Sequence, residues 1–265
     1  MLVGDGATAV CVAVALLGQG HRLTMLTRDA VVADAINARG LRCVGDQTSD
    51  SMRCGASTSI RPGARYRLLL LAASRRHAAE QLEQARPHLT DDAVVVSFVR
   101  GLFEPELRRL GAPAATLGAV ASWGASLREP AVADRTAAGG LVLGPVDATA
   151  DQLRSTARLL EAVAPVTVTD NLLGARWSQI AWESVVEPLG FLAGTRMGEI
   201  SRHPFALQLA LEALTEVVEV ARAAEVILEV LPGAPDLTQL ALSRKEEGTA
   251  GPADEVLDKR AWLGA

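Results

Sequence analysis

VGDGATA, residues 3–9, is the stretch whose reading decides the fold. A short apolar strand candidate, residues 1–3, runs into Gly4-x-Gly6-x-x-Ala9, and a segment of helical composition, residues 8–18, follows. In that strand–loop–helix setting each small residue has a physical role. Gly4 permits a tight turn, Gly6 lets backbone approach a pyrophosphate, and Ala9 lets helix and strand pack closely. The N-terminus of the helix then faces the phosphates. Gly4, Asp5, Gly6, Ala7 and Thr8 are therefore the candidate phosphate-binding loop of a dinucleotide site.

The next strand candidate, residues 23–26, ends in Thr27 and Arg28, where the ribose of an adenosine would lie. An acidic residue there suits NAD, whereas an arginine accommodates the 2′-phosphate of NADP. Arg28 thus favours NADP(H). Asp29, one residue later, reads as a helix cap.

Outward from this loop the chain alternates. Helices are expected at residues 30–39, 75–86 and 105–110. Strands are expected at 67–72, 93–98 and 116–121, the first two as continuous apolar runs of the kind found in doubly covered parallel strands. After Gly124 two strand-like pieces (132–136 and 140–143), a helix (149–163) and a strand (166–169) follow. From Asn171 onward the pattern is helical, broken at 190–198 and 232–235, with a loop at 248–255. The expectation is an α/β fold, with a Rossmann-type doubly wound parallel sheet over residues 1–168 and an all-helical C-terminal domain over 169–265.

Composition narrows the function classes. The 265 residues are 49% apolar and carry a formal net charge of −5. The charges form no basic stripe, and aromatic residues are few, which disfavours nucleic acid as a partner. The apolar run at residues 8–21 follows Gly4 and Asp5 rather than a basic n-region and is too short to span a bilayer, so neither a signal peptide nor a membrane anchor is expected. Cys11, Cys43 and Cys54 are dispersed, none with metal-ligand spacing, as for reduced thiols of a cytoplasmic protein. Cys11 is expected in the core; His77, His88 and His203 read as surface or capping residues. Lys245 and Lys259 are the two lysines. A mechanism that needs an ammonium group earlier in the chain is excluded.

The stretches GDGATA, LLGQGHRLTMLTRDA, GAVASWGASLREPAVADRTAAGGLVLGP, ARWSQIAWESVVEPLGFLAG and GEISRHPFALQLALEALTEVVEVARAAEV, in this order and spacing, resemble the ketopantoate reductase (2-dehydropantoate 2-reductase) family. The resemblance covers most of residues 1–225. It implies an N-terminal domain that binds NADPH, a helical C-terminal domain, often a homodimer, and hydride transfer to a 2-oxo acid. In the family a lysine on the long C-terminal-domain helix protonates the new alkoxide, and two asparagines on that helix hold the substrate. By this resemblance the lysine falls on Gln179 and the asparagines on Glu183 and Glu187. The lysine of the first domain falls on Ser74, the Asn-Gly pair on Val99-Arg100 or Arg100-Gly101, and the late serine and glutamate on Ser243 and Glu255. Trp177, Pro188, Gly198 and Pro204 follow the family pattern, so the scaffold reads as retained while the site departs from it.

Gln179, Glu183 and Glu187 lie four apart on an otherwise apolar helix, which places them on one stripe. Gln179 donates hydrogen bonds but delivers no proton near neutral pH. Glu183 or Glu187 delivers one if its pKa is raised, as two carboxylates in a partly desolvated cleft would raise at least one. Like charge disfavours an anionic substrate, so a neutral, cationic or weakly polar small molecule is expected, held against Trp182 or Trp177 with Arg100 and Ser243 as further candidate contacts. Three readings stay open: an NADP(H)-dependent reductase of a small carbonyl or imine other than ketopantoate; a non-redox isomerase, dehydratase or cyclase using Glu183 or Glu187 as general acid or base; and a binding protein without turnover. The stripe also reads, more plainly, as a solvated face or as carboxylates paired with arginines.

Overall fold

The computed structural model describes residues 1–45, 50–111, 115–194 and 202–247, the last five of these by backbone alone. The chain divides into two compact units, Met1–Leu172 and Leu173–Ala265.

In the first unit, strand β1 (Leu2–Val3) leads into helix α1 (Ala7–Gly18), β2 (Thr24–Leu26) and α2 (Ala30–Arg39). Asp29 caps α2 by accepting a hydrogen bond from the Val31 N–H at 2.8 Å, and Gly40, at φ +77°, ends it. Then come β3 (Arg42–Gly45), β4 (Gly55–Ser57), β5 (Tyr66–Leu71), α3 (Arg75–Ala85), β6 (Leu89–Ser97), α4 (Glu104–Arg109) and β7 (Ala115–Ala121). A hairpin of β8 (Gly124–Glu129) and β9 (Val132–Ala137), then β10 (Leu141–Asp147), α5 (Ala150–Leu160) and β11 (Val166–Val168), complete the unit.

The main sheet has eight strands in the order β11-β10-β7-β6-β5-β1-β2-β4. Its pairs are parallel except β7 with β10. The chain steps one way from β1 to β2 and the other way from β1 to β5, so the topological switch point lies between β1 and β5. Both faces are covered. Leu70 and Val96 point into one core with α1, α2 and α5, while Leu69, Leu71 and Val95 point into another with α3 and α4. This double burial explains the continuous apolar runs of β5 and β6, because alternate residues face different cores.

A second sheet, in the order β3-β9-β8, was not foreseen as such. It packs on the side of α1 turned away from the main sheet: α1 touches β1 and also β3, β8 and β9. A helix between two sheets has no solvent face, which is why residues 9–14 and Leu16 are all buried and α1 is apolar all round. β3, β4 and β8 are additions to the expected elements, and the start of β6 lies at Leu89 rather than residue 93.

The second unit carries α6 (Leu172–Ala193), α7 (Pro204–Ala223) and α8 (Leu237–Glu247). Ala181 and Val185 of α6 pack with Leu207, Ala210, Leu214 and Val218 of α7 and with Leu237, Leu240 and Ala241 of α8. Ser178, fully buried, donates to the carbonyls of Gly174 (3.0 Å) and Glu229 (2.7 Å), tying α6 to the segment after α7. The expected break at 190–198 falls partly, and the loop at 248–255 wholly, outside the described residues. No described helix is long and apolar enough to cross a membrane.

Candidate functional site

The glycine loop emerges from β1 at the switch point, the place where open α/β sheets bind ligands. Gly4 has φ +131°, and a Cβ built on it would lie 2.3 Å from the Ala72 carbonyl oxygen and 3.0 Å from the Ala73 nitrogen. Its own N–H donates to the Leu26 carbonyl at 3.0 Å, so the turn is anchored to β2 while it leans on the end of β5. Only glycine adopts this backbone and fits this gap.

Gly6 differs. It is the N-cap of α1 in an extended conformation, φ −80° and ψ 175°, and a Cβ there would meet nothing within 4 Å. No side chain caps α1, and no acidic residue stands in its first turn. The first-turn N–H groups of α1 thus have no side-chain cap, the space beside Gly6 is open, and the positive end of the helix dipole stands there, the arrangement that takes a phosphate. This open cradle fits the pyrophosphate of a nicotinamide dinucleotide.

The residues singled out in the first unit converge on the C-terminal edge of the parallel strands. Asp5 accepts a hydrogen bond from the Arg28 N–H at 3.4 Å, joining the glycine loop to the loop after β2. The Arg28 side chain is exposed. Thr27 is buried and its hydroxyl donates to the Asp29 carbonyl at 3.1 Å, so Thr27 shapes the turn. After β5, Ser74 is the N-cap of α3 without a capping side-chain bond; its hydroxyl instead meets His77 Nδ1 at 3.0 Å. After β6, Arg100 is exposed, and Gly101 has φ +76°. Arg75 donates to the Leu102 carbonyl at 2.9 Å and lies 5.9 Å from the centre of the Phe103 ring, which fastens the Arg100–Gly101 turn beside the start of α3. Sequence reasoning missed Ala72 and Ala73, whose main-chain atoms stand against Gly4, and treated His77 as a plain surface residue.

The polar stripe belongs to the second unit. Along α6, Gln179 is buried at 5% exposure, Trp182 and Glu183 are half-buried, and Glu187 is exposed. Arg176 is fully buried, a guanidinium in a fully enclosed position. The stripe thus grades from interior to solvent. Ser243 lies on α8 with its side chain outside the described residues, as Glu255 is altogether. His203 occupies the N-cap position of α7 but makes no capping side-chain bond. Among the described residues no group of His, Cys, Asp and Glu is placed to hold a metal ion. A cavity of about 470 Å³, lined by Thr24, Leu26, Ser57, Ile60, Arg61 and Tyr66 among others, opens elsewhere on the first unit and includes none of the glycine loop.

Comparison with known proteins agrees with this arrangement. Residues 1–148 match the family described as Ketopantoate reductase PanE/ApbA, and residues 171–246 match Ketopantoate reductase PanE/ApbA C terminal. Over 225 residues, covering 83% of this chain and 72% of the relative, the sequence is 27% identical to the 2-dehydropantoate 2-reductase of Pyrococcus horikoshii. In fold it is similar to a 2-dehydropantoate 2-reductase from Geobacter metallireducens GS-15, with a TM-score of 0.75 and 20% identity over 98% of this chain and 87% of that one. It is equally similar in fold to a D-mandelate dehydrogenase solved with NADH and anilino(oxo)acetate, with a TM-score of 0.75 and 14% identity over 99% of this chain and 89% of that one.

Proposed function

The chain belongs to the ketopantoate reductase family, an oxidoreductase family, and on that premise we propose that it is an NADP(H)-dependent reductase of a small carbonyl or imine compound other than ketopantoate. The observation that carries the reading is the uncapped N-terminus of α1 with open space at Gly6, held at the switch point by the contact of Gly4 with Ala72. In this reading the N–H groups of the α1 first turn and the glycine loop hold the pyrophosphate, and Arg28 pairs with the 2′-phosphate. The nicotinamide, when bound, supplies a hydride to the carbonyl or imine carbon. Ser74 and Arg100 stand on the loops that flank the cofactor side.

Glu183 is the residue proposed to protonate the substrate oxygen or nitrogen, since it is half-buried and one helical turn from Gln179. Gln179 donates a hydrogen bond to that same atom. Glu187, an exposed carboxylate on the same stripe, disfavours anionic substrates, which supports a neutral or cationic ligand held against Trp182. A cytoplasmic homodimer completes the proposal by family likeness.

The amide at position 179 favours a second reading, in which Glu183 or Glu187 acts as general acid or base of an isomerase, dehydratase or cyclase without net redox chemistry. Calorimetric titration of NADPH and NADH into the protein and into Arg28→Ala tests the first. We expect micromolar NADPH binding, weaker NADH binding, and a narrowed gap in the variant. Failure of both nucleotides to bind at near-millimolar concentration overturns the redox reading. Tight nucleotide binding with no oxidation of NADPH by any carbonyl or imine in a broad screen favours the second.

A further inference from the structure

The Cys43 thiol donates to Cys11 Sγ across 3.8 Å. Both cysteines are reduced, Cys11 on α1 at 4% exposure and Cys43 on β3 at 5%. A disulfide needs the sulfurs about 2.05 Å apart. Closure therefore asks for an approach of less than about 2 Å, within reach of side-chain rotation and a small strand shift. β3 can give that shift, because it is a four-residue strand that, among the described residues, stands at the edge of the second sheet beside β9.

The surroundings distinguish the two sulfurs. The hydrogen bond from Cys43 holds the Cys11 thiol below its ordinary range against the opposing effect of burial, and the charge of Arg135 acts in the same direction. The same bond and burial push Cys43 up. Arg135 is itself enclosed, its guanidinium 4.9 Å from the Trp123 ring centre and donating to the Val163 carbonyl at 3.2 Å. Cys11 is thus the sulfur that ionises first, and the ionised form is the nucleophile once local opening at β3 admits the oxidant to this buried position.

We propose that Cys11 and Cys43 form a redox pair whose disulfide fastens α1 to the edge of the second sheet and weakens nucleotide binding at the N-terminus of α1. The oxidant is hydrogen peroxide. The Cys11 thiolate attacks one peroxide oxygen, the O–O bond breaks, and a sulfenic acid and a hydroxide form; the hydroxide takes up the proton released when Cys11 ionised and becomes water. Cys43 then attacks the Cys11 sulfur, the S–O bond breaks, and the departing hydroxide leaves as water with the Cys43 proton. Two thiols lose two electrons and two protons, and one peroxide becomes two waters. The consequence for binding rests on the dinucleotide reading above, because Cys11 sits on the helix whose first turn forms the cradle.

The test treats the full chain with hydrogen peroxide, alkylates remaining thiols and maps the peptides without reduction. The expected product is a Cys11–Cys43 crosslink with Cys54 alkylated, reversed by dithiothreitol. The crosslinked form should melt about 5 °C higher, since it closes a long loop, and bind NADPH roughly threefold more weakly or worse. Cys43→Ser, which keeps a hydroxyl donor beside Cys11, should stop at a Cys11 sulfenic acid trapped by dimedone, and Cys54→Ala should crosslink as before. Recovery of Cys11 and Cys43 both alkylated, or a crosslink to Cys54, overturns the pair. A crosslink with unchanged NADPH affinity overturns its coupling to the site. If the reduced protein binds no nucleotide, the dinucleotide reading alone fails, and the peptide map and melting shift still decide the pair.

Discussion

Gly4 and Ala72 are in backbone contact across 68 residues of sequence: the Cα of Gly4, at φ +131°, leans on the carbonyl at the end of β5, leaving no room for a methyl group. This contact fixes where the glycine loop leaves the sheet. Gly4→Ala must both adopt a strained backbone and displace main chain rather than a flexible side chain. It should destabilise the first unit by about 2–4 kcal/mol and abolish nucleotide binding. Urea denaturation followed by an NADPH titration measures both. Wild-type stability in this variant would mean that the turn relaxes and the contact is dispensable.

Gly6→Ala separates binding from folding. The residue has an extended backbone that alanine adopts, and its Cβ would enter open space. Loss of a glycine N-cap should cost no more than about 1 kcal/mol. The added methyl stands where phosphate oxygens must approach backbone, so NADPH affinity should fall about tenfold or more, or about 1.4 kcal/mol. Calorimetry and thermal melting on the one variant read the two effects. Unchanged affinity would place the phosphates elsewhere.

What the sequence discloses follows from how local each cause is. The bounds of α2 are legible because Asp29 and Gly40 cap it from within its own segment. The runs in β5 and β6 are legible because burial on both faces leaves an apolar string. β3 and β8 are not, since RCVG and GASLRE carry no alternation and owe their extended form to β9, almost ninety residues beyond β3. The apolar circumference of α1 was visible in the sequence, but its cause, a second sheet, was not. At the site, the need for Gly4 and Gly6 shows in the motif. Ala72 does not, because nothing in LLAAS says which carbonyl will face a glycine far upstream. Four-residue spacing places Gln179, Glu183 and Glu187 on one line, yet tertiary packing decides that the first is buried and the last exposed.

Cys54 offers a pH test of the first unit. Burial pushes its thiol up to about 11 from an ordinary value near 9. At pH 8 about one molecule in a thousand then carries the thiolate. Labelling of Cys54 by a disulfide reagent, followed by mass spectrometry, should be slow at pH 8 and rise about tenfold per pH unit toward pH 10. Because the folded thiol ionises later than the unfolded one, its contribution to stability is complete below about pH 9 and is lost as the pH rises through about 11. Labelling at the rate of a free cysteine would contradict the partial burial of this side chain.

Ser178 tests the second unit. Its hydroxyl serves the Gly174 and Glu229 carbonyls from a fully buried position. Ser178→Ala leaves these acceptors without that donor and should destabilise the unit by about 1–2 kcal/mol. Proteolysis of the segment around Glu229 should accelerate in proportion. Resistance equal to wild type would show that this hydrogen bond contributes little to holding the segment on α6.

The graded burial of the stripe predicts an asymmetry between its carboxylates. Glu183 is half-buried and one turn from buried Gln179, whereas Glu187 is exposed and two turns away. A general acid needs partial desolvation to hold its proton near neutral pH and must reach the reacting atom. Glu183→Gln keeps shape and hydrogen bonding but removes the titrating group. It should lower kcat about a hundredfold or more and remove the alkaline-side limb of the pH–rate profile, where the general acid loses its proton, with KM nearly unchanged. Glu187→Gln removes an exposed carboxylate, so kcat should stay within about twofold, while KM for an anionic carbonyl compound should fall as repulsion is relieved. Steady-state kinetics with NADPH and any turned-over carbonyl or imine, with a carboxylate analogue of it alongside, distinguishes the two variants. Equal effects from both would mean that the carboxylates act as a coupled pair, and full activity in both would return the stripe to a solvated helix face.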